Sequence, residues 1–130
     1  MTESNGKTVI VIGASRSRHK FGNIAVRAYL SQGYCVIPVN HQAEEIEGLN
    51  AYDSLKEVSV DSVDMISIYV TPEQGIDLLE EMTRFQPDEV WFNPGSASPE
   101  LLKKAEELGL PVIQACSIIG IGRSPGEFAE

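Results

Sequence analysis

Residues 13–23 concentrate the residue types that bind anions. Glycines stand at position 13 and position 22, and hydroxyl and basic side chains lie between them. The segment follows an apolar run that predicts a strand, and it leads into a pattern that predicts a helix. Free backbone N–H groups and the helix dipole attract anions at such a junction. We therefore predict a phosphate or pyrophosphate site formed by Gly13, Ala14, Ser15, Arg16, Arg18, Lys20, Gly22 and Asn23.

The spacing of the glycines matches neither of two common phosphate-binding motifs. A Gly-x-Gly-x-x-Gly fingerprint would need glycine where the chain has Ser15 and Arg18. A Walker loop would close on Gly-Lys followed by Ser or Thr, which this segment does not contain. The prediction of an anion site therefore depends on the charge and position of the segment, and it leaves the ligand open.

The charge distribution supports the same site. The chain has 130 residues, with 10 Lys and Arg against 19 Asp and Glu, which gives a net charge of -9. General nucleic-acid binding needs a basic field and is disfavoured. No acid occurs between Ser4 and Ala43, which indicates either an anion site free of competing carboxylates or a solvated basic face. We interpret Glu44, Glu45 and Glu47 as a solvated run.

Five short apolar runs alternate with helical patterns along the chain. The runs span residues 8–12, 35–39, 65–70, 90–92 and 111–115, and helical patterns span 23–32, 71–85 and 98–108, with a short one at 52–58. Continuous apolar runs are typical of strands buried on both faces of a parallel sheet. The alternation predicts an α/β chain, a doubly wound Rossmann-like three-layer sandwich with a five-stranded parallel sheet. We expect the first strand to be central and the fourth to lie beside it.

Ligands of such sheets bind at the carboxyl ends of the strands, which directs attention to the segments that follow them. The second run ends at Val39 and is followed by Asn40 and His41, without the acid that usually binds the ribose of NAD. That leaves NADP or coenzyme A (CoA). The later segments add these candidate residues: Tyr69, Val70, Thr71, Pro72, Asn93, Pro94, Gly95, Ser96 and Cys116.

Several of these pieces together resemble a known family. The matching segments are 11–15, 33–40, 48–55, 69–72, 93–95 and 109–116. They resemble the CoA-binding protein family, small single-domain Rossmann proteins related to the CoA-binding domain of the succinyl-CoA synthetase alpha subunit. The sequence departs from the family at residues 16–20, where a proline-rich loop is usual, and at Asn93, where glutamine is usual.

The resemblance implies a ligand and its orientation. The ligand would be CoA or an acyl-CoA, with its phosphates near the first loop and its adenosine near Val39, Asn40 and His41. The pantetheine arm would pass over residues 69–72 and 93–96. Cys116 would be either a small packed residue or a thiol near that of the ligand.

The sequence shows no catalytic machinery, so enzymatic activity remains an open question. Neither histidine stands beside an acid, and the two cysteines fit no disulfide framework or zinc motif. We expect a cytoplasmic binding module without membrane or nucleic-acid partners, acting alone, as a homodimer or with a partner protein. The alternatives are an NADP-binding oxidoreductase-type module and a ligand-free regulatory or interaction domain. The predicted organisation is a polar arm at 1–7, the domain at 8–119 and a loose tail at 120–130.

Overall fold

The computed structural model describes residues 4–42 and 45–128 of the chain. Its regular elements follow one another along the chain as strands joined by helices. In order they are β1 (Thr8–Ile12), α1 (Phe21–Ser31), β2 (Cys35–Val39), β3 (Glu45–Ile46), β4 (Leu49–Asn50), β5 (Met65–Ile68), α2 (Pro72–Ile76), α3 (Leu79–Thr83), β6 (Glu89–Phe92), α4 (Pro99–Glu107), β7 (Val112–Ile113) and α5 (Ser117–Gly120). Short 3-10 helices span Leu55–Glu57 and Pro125–Phe128. The predicted α/β class and the five-stranded parallel sheet are confirmed.

The main sheet has the strand order β2-β1-β5-β6-β7, and all of its neighbours are parallel. In its register, Ile10 of β1 pairs with Ile37 on one side and Ile66 on the other. The expectation that the fourth strand, β6, lies beside β1 is wrong, because β5 fills that position. The chain therefore reverses its direction of winding between β1 and β5, and the ligand crevice is expected at the carboxyl ends of these two strands.

Apolar side chains cover both faces of the sheet. On one face, Ile10, Ile12, Ile66 and Ile68 pack with the buried residues of α3 and α4. On the other face, alternate residues of the same strands pack against the small and aromatic residues of α1. Because successive side chains of a strand point to opposite faces, a continuous apolar run serves both layers.

The predicted helix at residues 71–85 is two helices. Its start is as expected: the Thr71 side chain accepts from the Gln74 amide, and the Gln74 side chain bonds back to the Thr71 amide. The amide of Leu78 donates to Gly75, three residues back, so a tight turn separates α2 from α3. The apolar stripe continues across this turn, which is why the sequence indicated one helix.

The two ends of the described chain pack onto the domain. The amide of Asn5 donates to the carbonyl of Gly33 at 3.0 Å. The Gln32 side chain donates to the carbonyl of Ile121 at 2.8 Å, and the Arg27 guanidinium lies over the ring of Phe128 at 5.8 Å. Residues 121–128, which the sequence assigns to a loose tail, thus lie against α1.

Candidate functional site

The first loop, residues 13–22, joins β1 to the amino end of α1 through a contact between two glycines. Gly13 has a φ of 88°, a region that favours glycine. A Cβ at Gly22 would overlap the carbonyl oxygen of Gly13. Lys20 caps the helix without a side-chain hydrogen bond, and the Asn23 amide is the first in the helix to reach a backbone carbonyl. The amides of Phe21 and Gly22 precede it, where an anion is favoured.

A network of side chains holds the first loop from the side of α1. Asn23 is fully buried. Its side-chain nitrogen, Nδ2, donates to the carbonyl of Ser15 at 2.9 Å and to the Glu47 carboxylate at 3.0 Å. Arg27 donates to the Asn23 side-chain oxygen at 2.7 Å and to the carbonyl of Arg18 at 2.9 Å. Asn23 therefore fixes the loop and is not free to bind a ligand in this conformation.

Glu47 corrects two expectations drawn from the sequence. Its carboxylate lies 3.5 Å from Nε of Arg18, so the basic loop does have a competing acid, supplied by the β3–β4 hairpin. Glu47 is also bonded to Asn23 rather than simply solvated. Of the other acids in that run, Glu45 is exposed and Glu44 lies outside the described residues.

Two adjoining clefts open at the carboxyl ends of the strands. The loop cleft, of about 400 Å³, is lined by Gly13, Ser15, Lys20, Phe21, Gly22, Asn40, Tyr69, Val70, Thr71, Pro94, Gly95 and Ser96. The β2 cleft, of about 430 Å³, is lined by Ile12, Gly13, Val39, Asn40, His41, Gln42, Asp53, Ser54, Leu55, Val70, Gln74 and Leu78. Gly13, Asn40 and Val70 line both, so the clefts meet at the first loop. Most of the predicted residues are thus brought together.

Seven predicted residues line neither cleft: Ala14, Arg16, Arg18, Asn23, Pro72, Asn93 and Cys116. Ala14 is buried, and its carbonyl accepts from the Asn40 side chain at 2.6 Å. Arg16 is exposed, and Pro72 begins α2. Cys116 is half-buried and directly precedes α5. Its proximity to a ligand thiol stays a prediction.

Asn93 is the centre of a buried polar network beneath the clefts. Its side-chain nitrogen donates to Ser67 Oγ at 2.9 Å and to the carbonyl of Ile68 at 3.0 Å, and its oxygen accepts from the Ser117 amide at 2.8 Å. Ser117 Oγ in turn lies 3.2 Å from the hydroxyl of Tyr69. Asn93 thus ties β5, β6 and α5 together rather than facing the cleft.

Tyr69 stands between this network and the loop cleft. Burial raises the pKa of its hydroxyl to about 12, although the hydrogen bonds with Ser117 and Ser67 oppose the shift. The hydroxyl therefore stays protonated at neutral pH and serves as a neutral donor or acceptor. It offers no base to a ligand in the cleft.

Several residues that line the clefts were not among the predicted site residues, and two of them, Phe21 and Asp53, bear on ligand binding. Phe21 is 57% exposed and borders the loop cleft, where its ring is available to a ligand. Asp53 lines the β2 cleft beside His41, although it follows β4 and not β2. A search for an acid directly after the second strand could not find Asp53, since the β3–β4 hairpin separates it from that strand in sequence. The available signal for Phe21 was an aromatic residue directly after the basic segment 16–20 and directly before Gly22.

A third cavity, of about 540 Å³, lies at the amino ends of the strands, opposite the two clefts, and is larger than either of them. Its lining includes Asp64, Asp88 and Glu89. Three carboxylates in its lining disfavour the binding of a phosphate group in this cavity. The largest volume of the three therefore does not mark the predicted anion site. Over residues 4–42 and 45–128, no cluster of His, Cys, Asp and Glu is arranged to hold a metal ion, and no helix is long and apolar enough to cross a membrane.

Comparison with known proteins identifies the class of this fold and site. Residues 7–121 match the family described as CoA binding domain, and the chain belongs to that family. The protein YneT of Bacillus subtilis (strain 168) is 28% identical over 107 residues, which are 82% of this chain and 78% of that protein.

Solved structures show the same fold. A conserved hypothetical protein from Pyrococcus furiosus is 34% identical, with a TM-score of 0.77 over 88% of this chain and 97% of that one. A protein from Thermus thermophilus is 32% identical, with a TM-score of 0.78 over 87% of this chain and 86% of that one. In both comparisons the likeness covers more than four-fifths of each chain.

Proposed function

We propose that this chain binds CoA or an acyl-CoA in the joined clefts at the carboxyl ends of its strands. The observation that carries the proposal is the contact of Gly13 with Gly22, which places the free amides of α1 at the edge of the loop cleft. A negatively charged pyrophosphate suits that position. Membership of the CoA binding domain family supports the same ligand.

The shape of the clefts suggests how the ligand would lie. Its pyrophosphate would bind the first-turn amides of α1 and Lys20, the basic side chain that lines the loop cleft. The adenosine would occupy the β2 cleft, between Val39 and Leu55, which supply apolar walls. The pantetheine arm would run along residues 69–71 and 94–96.

We propose a binding module and not a catalyst. Neither histidine of the chain bonds to a carboxylate within the described residues. The Tyr69 hydroxyl, beside the loop cleft, is held protonated because burial raises its pKa. The site therefore offers donors and apolar walls for binding but no oriented base for proton transfer.

Asp53 favours a second candidate, a dinucleotide with an unphosphorylated ribose such as NAD. Its carboxylate lines the β2 cleft, where it could accept hydrogen bonds from ribose hydroxyls. The same carboxylate would repel the 3′-phosphate of CoA unless His41 or a nearby base offsets it. The two candidates therefore differ in what they require of this one side chain.

Calorimetric titration with CoA, acetyl-CoA, NAD and NADP tests the proposal. We expect CoA and acetyl-CoA to bind at least about tenfold more tightly than NAD, since each well-placed charge-assisted contact contributes about 1.5–3 kcal/mol. Tighter binding of NAD than of CoA would reject CoA as the ligand and support the dinucleotide. Mass spectrometry of the ligand released from purified protein gives an independent answer.

Replacing Lys20 by alanine should weaken CoA binding. Lys20 lines the loop cleft, whereas Arg16 is exposed and lines neither cleft, so Arg16→Ala is a control with the same loss of charge. We expect Lys20→Ala to raise the Kd for CoA by about tenfold at low salt and to flatten its salt dependence, with Arg16→Ala close to wild type. Equal effects of the two variants would indicate a diffuse field in place of a specific contact.

A further inference from the structure

Glu47 occupies a backbone position that suits few residues. The hairpin pairs Ile46 with Leu49, so its turn consists of Glu47 and Gly48 alone. Both have positive φ values, 49° for Glu47 and 82° for Gly48. Such two-residue turns favour Asn-Gly, and a longer side chain at the first position is strained. A strained residue whose side chain reaches another segment of a binding site suggests a functional constraint.

The Glu47 carboxylate contacts the first loop at two points. It accepts from the side-chain nitrogen of Asn23 at 3.0 Å and lies 3.5 Å from Nε of Arg18. Asn23 is already held by Ser15 and Arg27, so its position does not depend on Glu47 alone. Arg18 is different: its side chain is about half exposed, and Glu47 is the acid with which it pairs.

The Arg18 side chain pairs with Glu47 and not with either cleft. Arg18 belongs to the loop that borders the loop cleft, yet its side chain lines neither cleft. Phosphate and carboxylate compete for a guanidinium, and each offers it charge-assisted hydrogen bonds. An acid beside the loop also lowers the local attraction for any anion.

We propose that Glu47 sets the affinity of the ligand site: it holds Arg18 away from the ligand and thereby lowers the affinity of the first loop for phosphate groups. The proposal deepens the function proposed above and rests on it. Glu47 sets the contribution of Arg18 to binding, and Lys20 and the α1 amides provide the basal affinity.

The test is to titrate Glu47→Gln with CoA and with inorganic pyrophosphate, which requires only the loop. The glutamine oxygen can still accept from Asn23, but the charge that holds Arg18 is removed. We expect affinity for both probes to rise about fivefold at low salt, the range of an exposed ion pair, and the gain to shrink as salt is raised. Glu45→Gln, on the same hairpin and exposed, removes the same charge and should give no such gain.

A double-mutant cycle assigns the gain to Arg18. Arg18→Ala should abolish the gain in the Glu47→Gln background and change little in the wild type. Glu47→Asn provides a second variant, because asparagine suits the turn and cannot reach Arg18 as glutamate does. Unchanged or weaker binding in both Glu47 variants, or a gain that persists without Arg18, would overturn the inference.

The outcome also separates this inference from the proposed function. Tighter pyrophosphate binding in Glu47→Gln, with no CoA binding by any form, would support the role of Glu47 and reject CoA as the ligand. CoA binding that is the same in wild type and in both Glu47 variants would support the function and reject the role of Glu47.

Discussion

Replacing Gly22 by alanine is expected both to destabilise the protein and to weaken ligand binding. The added Cβ would overlap the carbonyl oxygen of Gly13, a backbone atom that cannot move without displacing β1 or the first loop. Overpacking of this kind costs about 1–3 kcal/mol of unfolding free energy. Because the same shift displaces the α1 amides, we expect the Kd for CoA to rise by more than about tenfold.

The sign of the stability change makes this prediction specific. Alanine within a helix is normally about 0.8–1.0 kcal/mol more favourable than glycine. Gly75→Ala in α2 is the matched control, since its Cβ would meet only the side chains of Leu101 and Val70, the nearer at 3.3 Å. Urea unfolding should show Gly22→Ala less stable than wild type and Gly75→Ala equal or more stable. A stable Gly22→Ala variant with normal affinity would show that the two backbones need not touch.

The sequence predicted the strands of the main sheet, and the segments that would come together at their carboxyl ends, because both depend on local patterns. Each apolar run became a strand at nearly the expected bounds, and the segments after the strands converge because parallel strands end at one edge. The order of strands does not follow from such patterns. A short run such as 65–68 carries no signal of the strand with which it pairs, so nothing local distinguishes the neighbour of β1.

The network behind the first loop could not be predicted, because it depends on contacts distant in sequence. Glu47 is 24 residues from Asn23, and the acid it brings to the loop belongs to a hairpin whose strands have two residues each. Strands this short leave no periodic signal. The Glu47-Gly48 turn between Ile46 and Leu49 was the available sign, since two-residue turns with glycine join hairpin strands.

Asn93 illustrates the same limit, because the partners of its side chain are distant in sequence. It follows β6, where the resemblance suggested a ligand contact, and the structure turns its side chain inward. The asparagine has both a donor and an acceptor end, and each end is used: its nitrogen donates to Ser67 and Ile68, and its oxygen accepts from the Ser117 amide. An inward asparagine of this kind stabilises the frame that supports the cleft.

Replacing Asn93 by aspartate should therefore produce a large, pH-dependent loss of stability. Asn93 is 2% exposed, and the substitution puts a carboxylate oxygen against the carbonyl of Ile68, which cannot donate. A buried polar group without its partner costs about 1–3 kcal/mol, and a buried charge costs more. Burial would hold the introduced carboxyl in its neutral form, with a pKa above the unfolded value of about 3.9.

The raised pKa determines the direction of the pH dependence. Below about pH 4 the carboxyl is neutral in both the folded and the unfolded chain, so the penalty of the charge is absent. As pH rises through that value the unfolded chain loses its proton first, and the variant loses stability relative to wild type until the folded pKa is passed. Urea unfolding from pH 4 to pH 8 should show this widening gap, while Asn50→Asp, at an exposed residue of β4, should show none. A stability difference from wild type that stays constant across that range would mean that the introduced carboxyl reaches solvent. Position 93 would then not be a solvent-excluded link between β5, β6 and α5.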